Sequence, residues 1–137
     1  MTIKGGCLCG QVRYSIDAEP LYAGFCHCSD CMKATGSGFG VFMGFHVADV
    51  TVTGETRAFT KTGGSGEPSA RHFCTTCGST VYGDGGEANP GREITIYAGT
   101  LDDPEQFHPQ AAIFTRNRPS WAHVVGDIPQ YEAMVPY

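Results

Sequence analysis

The spacing of seven cysteines constrains this chain more than any other feature. Three fall within six positions, Cys26-His27-Cys28-Ser29-Asp30-Cys31, and two pairs flank them, Cys7-Leu8-Cys9 and Cys74-Thr75-Thr76-Cys77. Four thiolates close a tetrahedral zinc site, and three leave one position open. Seven divides as four plus three, which predicts one structural zinc and one zinc able to meet a ligand. An odd number of cysteines fits a pure disulfide framework badly.

Cys74-x-x-Cys77-Gly78 has the form of a metal knuckle, with a glycine that lets the backbone turn around the ion. Its partners are either Cys7 and Cys9 or, as a two-knuckle ribbon, Cys28 and Cys31. The first choice is preferred because it leaves Cys26, Cys28 and Cys31 as one compact group. That group reads in two ways. It is an open, reactive zinc site, or a second structural site closed by a protein ligand such as His27, His46, His72, His108, His123 or Asp30. Labile thiols would instead suit a redox or metal-storage protein.

At 137 residues the chain is expected to form one domain, residues 3–130. With 19 glycines and 8 prolines it should consist of short elements and many turns. Gln11–Ile16 alternates, with Val12, Tyr14 and Ile16 inward, and Glu93–Tyr97 alternates likewise. Leu21–Phe25 and Phe39–Phe45 are apolar strand candidates, and Ser79–Tyr82 is another. Ser29–Thr35 suits a helical turn capped by Ser29 or Asp30 and stopped by Gly36. Val50–Thr53 and Thr56–Thr60 look like a hairpin turning at Gly54-Glu55. The segments 62–68 and 83–91 read as loops, the first of them mobile. Asp102-Asp103-Pro104-Glu105 resembles a helix start, and short strands are expected after His108. The fold class is mainly β with short helical turns.

The net charge of −5 and the lack of a Lys/Arg cluster argue against nucleic acid as partner. No apolar run has the length of a membrane span. The N-terminal residues lack the apolar stretch of a signal peptide, so a cytoplasmic location, where thiols stay reduced, is expected. The glycine-rich stretches lack the Gly-Lys-Ser/Thr of a phosphate loop, and no nucleophile elbow is present.

Three motifs carry a resemblance to a known family. Gly5-Gly6-Cys7-Leu8-Cys9-Gly10-Gln11-Val12-Arg13-Tyr14, then Cys26–Cys31, then Phe73-Cys74-Thr75-Thr76-Cys77-Gly78-Ser79, resemble the glutathione-dependent formaldehyde-activating enzymes, also called the centromere protein V family. The segment Pro109–Trp121 resembles a later motif of the same family. The resemblance implies a mainly β fold with tent-like sheets and two zinc ions per chain. It implies a structural zinc on Cys7, Cys9, Cys74 and Cys77 and a second, catalytic zinc on Cys26, Cys28 and Cys31. It implies carbon–sulfur chemistry, joining glutathione and formaldehyde into S-hydroxymethylglutathione, a carbon–sulfur lyase reaction in reverse.

On that reading a small-molecule thiol, glutathione among the candidates, is the partner. An oxyanion donor and a general acid must stand near the second zinc. His27, His46 and His72 are the nearest candidates for the acid. Arg71, Arg116 and Arg118 are candidates for the carboxylates of a peptide thiol. Trp121, Phe39, Phe42, Phe45 and Tyr97 are either pocket walls or core. The reading from a different class is a zinc-stabilised binding module without catalysis.

Overall fold

The structure is a computed structural model that describes residues 2–86, 93–124 and 126–136. The chain is mainly β, in two sheets. The smaller sheet has three antiparallel strands in the order β1 (Ile3–Gly6), β2 (Arg13–Ile16) and β5 (Val50–Thr53). The larger sheet holds β3 (Tyr22–Cys26), β4 (Gly40–His46), β6 (Thr56–Thr62), β7 (Pro68–Cys74), β8 (Thr80–Asp84), β9 (Glu93–Tyr97) and β10 (Ala111–Ile113). Its order is β10-β3-β4-β9-β8-β7-β6. Among the described strand pairs β10–β3 is the parallel one, and the others are antiparallel.

The two sheets bury a common core. Val12, Tyr14 and Ile16 point inward as their alternation predicts, and meet Met43, Phe45, Val81, Ile94 and Ile96 of the larger sheet. Burying aliphatic side chains of this size contributes on the order of 1.5–3 kcal/mol each, before entropy is counted. Cys7 and Cys74 belong to the same core cluster, so the first thiol group is continuous with the hydrophobic interior.

The helix α1 (Ser29–Thr35) has the expected bounds, and Gly36, at φ 65°, ends it in the left-handed region. The cap differs from expectation. Cys28, not Ser29 or Asp30, is the N-cap, and its Sγ accepts from the Cys31 backbone N–H at 3.2 Å. Cys26, two positions earlier, is still in β3, so the helix can begin only after the strand has turned at His27 and Cys28. Asp103 does cap a short 3-10 turn, Pro104–Gln106, accepting from the Glu105 N–H.

The predicted hairpin of Val50–Thr53 with Thr56–Thr60 does not form. β5 pairs with β2, and β6 pairs with β7 in the other sheet. Gly54 is where the chain leaves one sheet for the other, at φ +98°, with its α-carbon packed so closely on the Gln11 carbonyl that a Cβ would lie 2.1 Å from that oxygen. The hairpin is β6–β7 instead. Its turn falls in the segment expected to be a mobile loop, and it is closed by Gly63 N–H to Glu67 carbonyl at 2.9 Å. Of the loop expected over 83–91, Gly83 and Asp84 end β8, and 87–91 lie outside the described residues.

Candidate metal centres and substrate cleft

The first thiol group forms where one hairpin end from each sheet meets the other. The β1–β2 connection carries Cys7 and Cys9, tied by Cys7 N–H to Val12 carbonyl at 3.0 Å and Gly10 N–H to Cys7 carbonyl at 3.1 Å. The β7–β8 connection carries Cys74 and Cys77, turning at Gly78 (φ +76°) with Gly78 N–H to Cys74 carbonyl at 3.0 Å. The four Sγ atoms lie within 4.8 Å of one another. Cys7 and Cys9 are 3.6 Å apart and Cys9 and Cys74 3.7 Å. A tetrahedral zinc with Zn–S bonds of about 2.3 Å would set its sulfurs about 3.8 Å apart. The group therefore could hold a metal ion, and its dimensions are consistent with zinc. The ribbon pairing of Cys74 and Cys77 with Cys28 and Cys31 is not the one the fold makes.

The second thiol group joins the end of β3 to the start of α1. Cys26 closes the strand, Cys28 caps the helix and Cys31 lies in its first turn, with the three Sγ atoms also within 4.8 Å. As free thiols these groups share their protons unevenly. Hydrogen bonds from Cys26 and then Cys31 bring Cys28 down to about 2, and the Cys28 thiolate pushes Cys26 up. Cys26 pulls Cys31 down, but Cys28 and burial outweigh it and leave Cys31 at about 11. In the four-thiol group the Ser79 hydroxyl, 3.3 Å from Sγ, holds Cys77 down at about 5. With Cys26 and Cys31 held up, the three thiols favour one thiolate, at Cys28, and a cation would supply the counter-charge that lets the other two ionise.

Cys26, Cys28 and Cys31 line a cleft of about 300 Å³, walled also by Tyr22, Phe42, Arg71 and Tyr97. Arg71 is the residue that ties this wall together. Its Nη2 stands 3.8 Å from the Cys31 Sγ, and its Nη1 donates to the Tyr97 hydroxyl oxygen. Tyr97 packs edge-on against Phe42, centroids 4.8 Å apart, and burial pushes its hydroxyl up, so it stays protonated. Burial opposes the charge on the Arg71 guanidinium, but its contacts with Tyr97 and Cys31 outweigh it and keep the group protonated.

The three histidines named as acid candidates are not among the cleft residues. His27 is completely buried, its Nδ1 3.2 Å from the Gly38 carbonyl and its ring against Phe39. His46 ends β4 on an exposed face. His72 pairs with Asp84 at 3.0 Å and stacks on Tyr82. Of the arginines, Arg71 is in the cleft. Arg116 lies over Phe114, 5.6 Å from the ring centroid, and Arg118 reaches Gln130 at 3.3 Å. Trp121 is 71% exposed and sits over Gly38, so it is neither core nor part of the cleft wall. Phe45 is core, Phe42 and Tyr97 are wall, and Phe39 packs on Phe25. Lys33 and Lys61 were not singled out by the sequence; each sits alone in its local pattern, and only the fold brings them toward Arg71.

No helix among the described residues is long and apolar enough to cross a membrane.

Comparison with known proteins agrees with the motifs. The family model described as glutathione-dependent formaldehyde-activating enzyme matches residues 2–117. A protein of Halomonas elongata, provisionally named a glutathione-dependent formaldehyde-activating enzyme, is 25% identical over 134 residues, covering 90% of this chain and 82% of that protein. A crystal structure of a Rhodobacter sphaeroides protein shares the fold, with a TM-score of 0.55 at 22% identity, over 93% of this chain and 98% of that one. With a family model spanning most of its length and its cysteine motifs in place, the chain belongs to the glutathione-dependent formaldehyde-activating enzyme family.

Proposed function

We propose that this chain is a zinc-dependent enzyme that joins a small-molecule thiol to formaldehyde or another small aldehyde, in the carbon–sulfur lyase class by its reverse direction. The family name supports glutathione as the thiol. Residues 3–130 act as one zinc domain. Cys7, Cys9, Cys74 and Cys77 hold the structural ion, and Cys26, Cys28 and Cys31 hold the reactive one. A cytoplasmic location, where thiols stay reduced, suits a site built on seven thiols.

The observation that carries this reading is the unequal setting of the two thiol groups. None of Cys7, Cys9, Cys74 and Cys77 lines the cleft, and Cys7 and Cys74 belong to the main core, whereas Cys26, Cys28 and Cys31, two of them buried, all border a cleft of substrate size. Zinc held by three thiolates supplies a Lewis-acidic position that favours the deprotonated form of an incoming thiol.

The chain's own residues then account for the remainder. Arg71 offsets negative charge beside Cys31. Because the Tyr97 oxygen accepts from Arg71, its own hydrogen is free to be donated to a group in the cleft it lines. There it donates to the aldehyde oxygen as that oxygen gains charge. Sulfur attacks the carbonyl carbon, a C–S bond forms, and the C=O π pair becomes the oxygen lone pair. The oxygen takes one proton to replace the one the thiol lost. Phe42 and Tyr22 limit water at the reacting carbon.

The test is the visible spectrum of the cobalt-substituted protein with and without glutathione, in wild type and C28S. A change on adding glutathione, absent in C28S, supports thiol binding at the second centre. An unchanged spectrum with two cobalts bound defeats it and returns the non-catalytic, zinc-stabilised module.

A further inference from the structure

A second cleft, of about 410 Å³, adjoins the first. One wall is α1, from which Asp30, Lys33 and Ala34 project at i, i+3 and i+4, the spacing of a single helix face. The other wall is the edge of the larger sheet, with Phe59 and Lys61 on β6 and Ser69 and Arg71 on β7, each pair at the two-residue spacing of one strand face. Gly63, Ser69 and Arg71 line both clefts, so the two are joined along β7.

The charge of this second cleft is unbalanced. Lys33, Lys61 and Arg71 are set against one carboxylate, Asp30. Asp30 is already engaged by Lys61, Nζ to Oδ1 2.7 Å. Lys33 makes no ion pair among the described residues. Three converging cations, one of them a half-buried guanidinium, on a protein whose net charge is −5, form a local site for an anion rather than a general electrostatic surface. Its position is equally specific: Asp30 lies between Cys28 and Cys31 in sequence, and Arg71 reaches both the second cleft and the Cys31 sulfur.

We infer that Lys33, Lys61 and Arg71 form a carboxylate subsite that holds the C-terminal carboxylate of the peptide thiol while its sulfur sits at Cys26, Cys28 and Cys31. This rests on the proposed role of those cysteines as the thiol site. Asp30, held by Lys61, offers no unpaired partner to an ammonium group, which favours the carboxylate end of the thiol over its amino end. Phe59, 63% exposed, gives the methylene next to that carboxylate an apolar neighbour.

The test is isothermal titration calorimetry on the metal-loaded protein with glutathione, glutathione amidated at its glycine carboxylate, and S-methylglutathione. Wild type is expected to bind glutathione at least about ten-fold more tightly than the amide, the usual scale of a hydrogen bond to a charged group. In K33Q/K61Q most of the preference should be lost, with Arg71 alone supplying what remains. K33Q alone, which breaks no ion pair among the described residues, should lose part of the preference and guards against misfolding of the double variant. A preference undiminished in both variants, or absent from wild type, overturns the subsite. S-methylglutathione separates the two proposals because it keeps the carboxylate and lacks the thiol. If it binds as tightly as glutathione, yet weakens about ten-fold in K33Q/K61Q, the subsite stands and thiol ligation falls. If no glutathione compound binds wild type, both fall.

Discussion

Arg71 places its Nη2 3.8 Å from the Sγ of Cys31, although forty positions separate them in sequence. The contact spans from the third-last residue but one of β7 to the first turn of α1, and it brings a fixed positive charge to a cluster of thiols. The same guanidinium donates to Tyr97 on β9, so one side chain touches both a thiol and a hydroxyl of the cleft.

Replacing Arg71 by Gln should therefore harm two functions together. The expected outcome is a fall in kcat/KM of about 100-fold for thiol and aldehyde, with little change in the far-UV circular dichroism. R71K should recover little of this, because a point-charge ammonium cannot reach Cys31 and Tyr97 in the fixed fork of a guanidinium.

Tyr97→Phe removes only the hydroxyl and keeps the ring against Phe42. Its expected effect is on kcat, about 100-fold lower, with KM for the thiol nearly unchanged, the pattern of an interaction made in the transition state. Steady-state kinetics with the thiol varied at saturating aldehyde checks it. An equal rise in KM would assign Tyr97 to binding.

The two thiol groups should differ in what their loss does. C77S is expected to lose one metal and to unfold the junction of the two sheets, because metal affinity there is part of the folding free energy. C28S is expected to lose the other metal and stay folded. Serine is a good N-cap, so the helix start that Cys28 now provides is kept. Metal content by atomic emission, paired with thermal melting, distinguishes the two variants.

Gly54→Ala should destabilise the fold by roughly 1–3 kcal/mol, since it combines a left-handed backbone with a backbone clash. The new Cβ would press on the Gln11 carbonyl, two residues from Cys9. Urea denaturation followed by tryptophan fluorescence measures the loss.

Acid should weaken the fold through His27. Burial lowers its native pKa below the ordinary 6.5. Above 6.5 both states are neutral and the stability is full. As pH falls below that value the unfolded chain takes up a proton that the native chain refuses, and stability drops until the native pKa is reached. Thermal midpoints between pH 7 and 5 should fall less steeply in H27Q than in wild type.

Local pattern carried a definite share of this. The alternation at Val12, Tyr14 and Ile16 marked a strand face, and that face is buried. The run Ser29–Thr35 before a glycine marked a helix with the right ends. Thiol spacing divided seven cysteines into four and three, the grouping in which the sulfurs stand. Each of these depends on residues a few positions apart, whose geometry is set by the period of a helix or strand or by the reach of a knuckle.

Pairing across distance was decided by the tertiary structure alone. Val50–Thr53 and Thr56–Thr60 have the sequence of a hairpin, yet core burial draws the first to β2 and leaves the second, within β6, to β7. The histidines beside the cysteines looked like acids by proximity in sequence, while the hydroxyl that meets Arg71 in the cleft comes from Tyr97 on a different strand. Lys33, Lys61 and Arg71 carry no common motif; they converge because α1 lies over the edge of the larger sheet. The sequence by itself determined which atoms could bind a metal, because donor chemistry and local spacing are properties of short segments. The tertiary structure decided which thiol group borders a cleft and which charges surround it, because those depend on which strands the hydrophobic core brings side by side.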